Sequence, residues 1–267
     1  MKTKLASLVV AALLGLGLFG VLIWKGVPLL FSGVVRLVPV SFEQRLGRAV
    51  ADSFSSGGGR CEDPQLKEDV EAIVQRLSKA LPEHPYVFSV QIVRSPEVNA
   101  LAAPGGYIVI FSGLLERLDS PEQLAGILAH EMQHVIQRHS TKSIVRSLGI
   151  QVLLGLVIGD PGGLTGIAGN LGILHFMRGD EQSADEAAIE NLMAARLDPE
   201  EMVNAFRKLQ SKTDGQNNTG VESAFKYLST HPPIPERIAY LSEKAKHWKG
   251  KEDPFPFKLS AACAVAK

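Results

Sequence analysis

The residues best suited to chemistry form one H-E-x-x-H pattern, which runs from His130 to His134. Residues four apart in a helix lie about 40° apart around its axis, so the two histidines can bind one metal ion. Glu131 lies on the same side and can reach a water on that ion without being a ligand. The pattern is typical of a zinc site whose glutamate is the general base of peptide hydrolysis.

The sequence around this pattern predicts a helix with a marked beginning. Ser120 can cap it, Pro121 suits its first turn, and Gln123 completes a predicted capping box. One apolar stripe follows, made by Leu124, Ile127, Leu128 and Val135. The histidines therefore lie beside a buried face, where polar groups need partners. Two core histidines satisfied by hydrogen bonds are the alternative interpretation.

A catalytic zinc site needs a third protein ligand, and the spacing leaves three candidates. His139 is five residues past His134, about 140° around a continuous helix, so we expect it to point elsewhere. His175 lies in an apolar run and is expected to be a core histidine. Glu181 and Asp185 are four apart on one helical face. There Glu181 can complete the metal shell, and Asp185 can hold a ligand histidine from behind.

The helix of Glu181 also carries small residues that allow close packing on the helix of His130. They are Ala184, Ala187 and Ala188. The alternative is a solvated acidic face, because five acidic residues fall between Asp180 and Glu190. Spacing alone does not separate these two interpretations.

The remaining pattern predicts a helix beginning near Asp63, a strand within Tyr86–Val93 and a hairpin. The hairpin joins Asn99–Ala103 to Tyr107–Phe111 through a Pro-Gly-Gly turn. From Ser120 onward nearly everything has helical character. This order predicts the α+β class, a mostly helical domain with a small β-sheet.

The N-terminus predicts a membrane anchor. Leu5–Trp24 is uncharged and, at 1.5 Å per residue, reaches about 30 Å, the thickness of a hydrocarbon core. A cleaved signal peptide and a buried helix are the alternatives. Leu148–Gly159 is apolar but too short to span, so it is a buried helix or one that dips into the membrane. The predicted divisions are an anchor, a juxtamembrane segment with a linker, a metallopeptidase domain and a tail, at residues 1–25, 26–60, 61–250 and 251–267.

Composition excludes several classes of protein. The chain has 28 basic and 28 acidic residues, which argues against a nucleic-acid partner. A hydrophobic fraction of 45% excludes a disordered chain. Two cysteines are too few for a disulfide scaffold, and they are not spaced as in a zinc ribbon. Cys61 and Cys263 are either one disulfide, formed in an oxidising compartment, or two unpaired thiols.

Several motifs in order resemble the gluzincin family of membrane-linked zinc peptidases. That family includes the CAAX prenyl proteases, the heat-shock protease HtpX, the mitochondrial inner-membrane stress protease and periplasmic β-barrel assembly-enhancing proteases. The resemblance extends from about Val38 to Leu241. Besides the H-E-x-x-H pattern, it lies in Glu181-x-x-Ala184-Asp185, Asn99-Ala100, Pro104-Gly105-Gly106-Tyr107-Ile108, Gly113-Leu114-Leu115 and His231-Pro232-Pro233-x-x-Glu236-Arg237-Ile238.

The resemblance implies a zincin-type fold and a set of site residues. By it, His130, His134 and Glu181 bind one Zn²⁺ per chain, and Glu131 is the general base for a zinc-activated water. Asp185 is expected to accept a hydrogen bond from a ligand histidine and so to orient it.

Two further groups of site residues come from the resemblance. His231 and Arg237 match positions near the reaction centre and are candidate donors to the oxyanion. The alternative is structural: a proline-rich turn that precedes a helix, and an arginine that pairs with an acid. Asn99, Ala100 and Leu101 match an edge strand to which a substrate peptide can add as another strand.

The resemblance is strongest to single-anchor bacterial members. It implies a metalloendopeptidase in the bacterial inner membrane, with one span, a catalytic domain outside the cytoplasm and protein or peptide substrates. The expected role is quality control of envelope proteins. An anchored chaperone-like or scaffold protein with a gated or idle zinc site is the alternative. The sequence leaves the oligomeric state open.

Overall fold

The computed structural model describes residues 35–148, 176–211, 227, 231, 235–259 and 263. The predicted anchor, His175 and all but the first residue of Leu148–Gly159 lie outside these ranges. Within them, no helix combines the length and the apolar character needed to cross a membrane. The chain divides into one unit up to Pro39 and a second from Val40 onward, and the second unit carries the site residues.

The second unit contains helices, a three-stranded sheet and a short 3-10 turn at Pro104–Gly106. The strands are β1 (Ser89–Val93), β2 (Ala100–Ala102) and β3 (Tyr107–Phe111). The helices are α1 (Val40–Gly58), α2 (Pro64–Lys79), α3 (Ser112–Leu115), α4 (Pro121–Ile136), α5 (His139–Leu148), α6 (Arg178–Ala194), α7 (Glu200–Ser211) and α8 (Pro235–Lys246). The predicted α+β class, mostly helical with a small sheet, is confirmed.

Helix α4 begins where the sequence predicts. The Ser120 hydroxyl accepts a hydrogen bond from the Gln123 backbone N–H at 3.2 Å, which satisfies one of the unpaired donors of the first turn. The Gln123 side chain accepts from the backbone N–H of Asp119, at 2.9 Å, and not from that of Ser120. The predicted capping box is therefore wrong in its second half, because the amide reaches one residue further back.

The sheet has the order β1-β3-β2, with β1 parallel to β3 and β2 antiparallel to it. The β2–β3 pair is the predicted hairpin. Gly105 and Gly106 turn the chain there with φ angles of 74° and 106°, a region that glycine adopts without steric strain. The strand predicted within Tyr86–Val93 begins at Ser89.

Helix α4 lies at the centre of the core and packs against α6, α7 and β2. A Cβ atom on Gly126 would lie 2.6 Å from the Cα atom of Met202, so this glycine lets α7 cross α4 closely. On the other side, α6 contributes Ala184 and Ala188, which have no exposed surface. Helices α4 and α6 pack together as expected, but of the three predicted alanines Ala187 is only partly buried.

A disulfide joins Cys61 to Cys263, whose Cα atoms are 5.8 Å apart. The chain before Cys263 is also held by polar contacts. The backbone N–H of Phe255 donates to Glu122 Oε1 at 2.8 Å, and the Arg76 guanidinium lies 5.0 Å from the centroid of the Phe255 ring. Of the two interpretations of the cysteines, the paired one is confirmed.

Candidate metal centre

Four donor side chains from three parts of the chain converge on one point. His130, His134, Glu181 and His231 each offer one nitrogen or oxygen atom, and these atoms lie within 4.8 Å of one another. Nε2 of His130 is 3.0 Å from Nε2 of His134, and Nδ1 of His231 is 2.9 Å from Oε1 of Glu181. Helices α4 and α6 therefore hold the predicted ligands in one cluster.

The spacing of the cluster suits a small, tetrahedrally coordinated ion. Zinc ligands at about 2.1 Å in a tetrahedron are separated from one another by about 3.4 Å. The donor atoms here are 2.9 to 3.4 Å apart along four of their six pairings. Three buried imidazoles and a carboxylate gathered this closely are costly without a cation between them. The residues present fit a metal ion.

Burial and charge prepare two of the donors for a cation. Burial lowers the pKa of His134 well below its ordinary value, which keeps the ring neutral and its lone pair available. Burial would raise the pKa of the Glu181 carboxyl, but the neighbouring imidazoles of His231 and His134 outweigh it and hold that pKa below its usual range. Glu181 is therefore a carboxylate.

Glu131 lies beside the cluster and is fully buried. Neither of its carboxyl oxygens has a hydrogen-bond partner among the residues that the structure describes. The His231 imidazole lies next to it, with Nε2 3.5 Å from Oε1 of Glu131. A buried carboxyl group without hydrogen bonds destabilises the folded state, which indicates a functional role for Glu131 rather than a stabilising one.

Asp185 lies behind His130, as predicted. Its Oδ1 is 3.0 Å from Nδ1 of His130. Arg237 donates to both Asp185 oxygens, at 2.7 and 2.9 Å, and its Nη1 lies 2.8 Å from Oε2 of Glu181. Arg237 therefore pairs with acidic side chains, as the structural alternative for this residue predicts. Its role as an oxyanion donor stays a prediction.

His231, which the resemblance places near the reaction centre, is also the fourth donor of the cluster, and that part was not predicted. Its Nδ1 is 3.2 Å from Nε2 of His130. Burial alone would lower the pKa of His231, but the carboxylates of Glu181 and Glu131 outweigh it and raise the pKa. No spacing relates this residue to α4, which lies about 100 residues earlier in the chain.

The prediction that His139 points elsewhere is wrong. Helix α4 ends at Ile136, and Arg138 has a φ angle of 58°, so the helical wheel does not continue through this residue. The new direction of the chain turns His139 back toward the site. Its Nδ1 lies 3.1 Å from Nδ1 of His134, and only 1% of its surface is exposed. Burial lowers the pKa of His139 to about 4.

A buried carboxylate on α1 fixes this turn, and the sequence did not indicate it. Glu43 is 1% exposed. It accepts a hydrogen bond from Nε of Arg138 at 2.9 Å, one from the hydroxyl of Thr141 and one from the hydroxyl of Tyr86 at 2.8 Å. Charge-assisted hydrogen bonds of this kind are among the stronger ones, so α1 anchors the junction of α4 and α5.

Aromatic rings pack on two imidazoles of the cluster. Phe176 stacks on His134 with ring centroids 3.9 Å apart, and Tyr227 stacks on His231 at 4.7 Å. These contacts restrict the rotation of the imidazoles.

The predicted substrate-binding residues lie on and beside β2, at one edge of the sheet. The carbonyl of Asn99 accepts a hydrogen bond from the N–H of Phe111 on β3, and the N–H of Ala103 donates one to the carbonyl of Tyr107 on β3. Backbone groups alternate in direction along an antiparallel pair, so Leu101 also faces β3. Ala100 and Ala102 turn their backbone groups to the other side.

Two contacts occupy part of that outer edge. The carbonyl of Val98 accepts a hydrogen bond from the N–H of Tyr227 at 3.2 Å, and the carbonyl of Ala102 accepts one from the hydroxyl of Ser140. Between them lies Ala100, whose outward N–H and C=O have no hydrogen-bond partner among the residues described.

Comparison with known proteins agrees with this geometry. A model of the peptidase family M48 matches residues 62–245. The chain is 29% identical over 201 residues to a beta-barrel assembly-enhancing protease of Yersinia pestis, covering 70% of this chain and 40% of that protein. It is 26% identical over 223 residues to the beta-barrel assembly-enhancing protease of Escherichia coli K12, covering 78% and 44%. It is 26% identical over 213 residues to the mitochondrial metalloendopeptidase OMA1 of Schizosaccharomyces pombe, covering 77% and 62%. The chain thus spans less than two thirds of the length of these relatives.

Proposed function

The chain belongs to peptidase family M48, and on that premise we propose that it is a zinc-dependent endopeptidase. The observation that carries the proposal is the buried Glu131 beside four converging metal donors, with no hydrogen bond to its carboxyl oxygens from the described part of the chain. His130, His134 and Glu181 are the proposed ligands, with one ion per chain. Asp185 holds His130 in the orientation that turns Nε2 to the ion.

The catalytic step is assigned to Glu131. A bound zinc ion supplies a Lewis acid that polarises the scissile carbonyl and makes water more acidic. Glu131 takes a proton from the attacking water and passes it to the nitrogen of the leaving amine, which closes the proton balance. Among the residues that the structure describes, no hydrogen bond competes for its carboxyl oxygens.

His231 is the proposed donor to the oxyanion. Its Nε2 lies 3.5 Å from Glu131, so a proton on this nitrogen is next to the place where the carbonyl is attacked. Arg237 is engaged by Asp185 and Glu181, and we assign it the task of holding those two carboxylates. His231 and Arg237, both candidate oxyanion donors by the resemblance, thus receive different proposed roles.

An extended protein or peptide substrate is proposed to pair with β2. Ala100 is buried, and its N–H and C=O face the side of β2 away from β3, whereas the backbone groups of Asn99 and Leu101 face β3. Strand addition needs outward backbone groups, so Ala100 is the central contact of the proposed substrate strand.

We further propose that the enzyme is held in the bacterial inner membrane by one span, residues 5–24, with its catalytic unit outside the cytoplasm. The Cys61–Cys263 disulfide supports an oxidising compartment. Relatives that carry the name of beta-barrel assembly-enhancing proteases support a role in the quality control of envelope proteins. Protease protection in spheroplasts tests this: a catalytic unit that is digested only after lysis would contradict it.

An anchored chaperone-like protein with a gated or idle zinc site is the second candidate. The observation in its favour is burial: His130, Glu131 and His134 have no exposed surface. Both candidates bind zinc, so cleavage separates them.

The test uses the full chain in detergent micelles. Bound metal is measured by elemental analysis, and cleavage is measured on an unfolded protein such as reduced casein, with and without a chelator. The matched variant is Glu131→Gln, which keeps the shape of the side chain. We expect it to retain one zinc per chain and to lose cleavage. Cleavage that survives both the chelator and this substitution would refute the proposal.

A further inference from the structure

We propose that His139 and Asp180 are positioning residues for the metal ligand His134. They hold its imidazole in the tautomer and the orientation that present Nε2 to the ion. The inference rests on the proposed function, because it assumes that His134 binds zinc.

The proton positions follow from the geometry. Nε2 of His134 faces the cluster, 3.0 Å from Nε2 of His130, and must carry no proton when it binds a metal. The proton of the neutral ring is then on Nδ1, which is 3.1 Å from Nδ1 of His139. His134 therefore donates to His139, and the proton of His139 is on its Nε2.

A carboxyl group lies close to that second nitrogen, at a distance longer than a hydrogen bond. Nε2 of His139 lies 3.6 Å from Oδ1 of Asp180, with the His139 side chain 2% exposed. Asp180 is itself held in place: its Oδ2 lies 2.8 Å from Nη2 of Arg146 and accepts from the N–H of Met177 at 3.2 Å. The carboxylate thus favours one tautomer of His139, and His139 favours one tautomer of His134.

The two ligand histidines are supported differently. His130 faces a carboxylate directly, with Asp185 at 3.0 Å, whereas His134 reaches Asp180 through the neutral ring of His139. Metal-binding histidines almost always donate their second N–H to such a partner, and loss of the partner costs about 10–100-fold in metal affinity. Asp180 is on α6, next to the ligand Glu181, so this contact also ties α5 to the helix that completes the site.

The test measures the affinity of the full chain for zinc by competition with a chelating dye, a quantity that does not depend on catalysis. His139→Leu keeps an apolar side chain of moderate size but removes the acceptor, and should weaken zinc binding about 10–100-fold. His139→Asn places an amide oxygen near the position of Nδ1 and should restore most of that affinity. Ile144→Ala, a buried position on the same helix, is the control for lost packing and should leave the affinity unchanged.

The proposal is overturned if His139→Leu binds zinc as tightly as the unaltered chain. It is also overturned if His139→Asn restores nothing, or if Ile144→Ala weakens zinc binding as much as His139→Leu does. If His139→Leu does not fold, Asp180→Ala decides, with a tenfold or greater loss expected. An unaltered chain that binds no zinc would refute both the proposed function and this inference, whereas normal binding with insensitive variants refutes the inference alone.

Discussion

Reduction of the Cys61–Cys263 disulfide should lower the free energy of unfolding of this protein. The bridge closes a loop with a sequence separation of 202 residues. For a loop of that length, the chain-entropy relation gives about 5 kcal/mol at 25 °C. Residual structure in the unfolded chain reduces the effect, so we expect a loss of about 2–5 kcal/mol.

The structure indicates that this loss arises mostly in the unfolded state. The two cysteines are 1% and 2% exposed, so reduced thiols would stay packed in the core. The backbone N–H of Asp253 donates to the carbonyl of Arg196 at 3.0 Å, and Phe255 keeps its contacts with Glu122 and Arg76. The native segment before Cys263 therefore remains docked, and zinc affinity should not change.

The assay is urea unfolding of the zinc-saturated full chain in detergent micelles, with and without a reductant. A count of free thiols confirms that reduction is complete. The control is the double variant Cys61→Ala and Cys263→Ala, whose unfolding should not respond to the reductant and should resemble that of the reduced unaltered chain.

Equal urea midpoints before and after complete reduction would refute the reasoning. That result would mean that the bridge places no constraint on the unfolded chain. Zinc affinity that falls on reduction would refute the second part, namely that the docked segment holds without its bridge.

Three further predictions concern the site and its supports. Glu181→Ala should bind much less zinc in the chelator competition, whereas Glu186→Ala, a partly exposed acid on the same helix, should bind it normally; the opposite order would contradict the ligand assignment. Gly126→Ala should lose about 1–3 kcal/mol of stability in urea, because the new methyl group meets the backbone of α7. Gly179→Ala, where a Cβ atom meets nothing within 4 Å, should not, and equal losses would exclude the packing argument. The pKa of His139 is lowered from 6.5 to about 4, so the folded state binds fewer protons there than the unfolded state. The metal-free protein should therefore lose stability as the pH falls from about 6.5 to 4, and His139→Leu should lose less in urea titrations over that range; an identical pH slope would contradict the burial of this ring.

The sequence by itself determined the features that depend on residues close together in the chain. The beginning of α4 at Ser120 follows from a hydroxyl that reaches an N–H three residues away. The pairing of His130 with His134 follows from the pitch of one helix, and that of Glu181 with Asp185 follows in the same way. Helical periodicity is a short-range property, so these placements needed no knowledge of the rest of the fold.

Only the tertiary structure decided which distant groups meet these residues. His231 reaches His130 from about 100 positions away, and Glu43 reaches Arg138 from 95 positions away. No local periodicity connects such pairs. The direction of His139 also depends on tertiary structure, although this residue is only five positions from His134. Arg138 has a φ angle of 58°, which ends the helical register, so the chain changes direction and His139 points into the site.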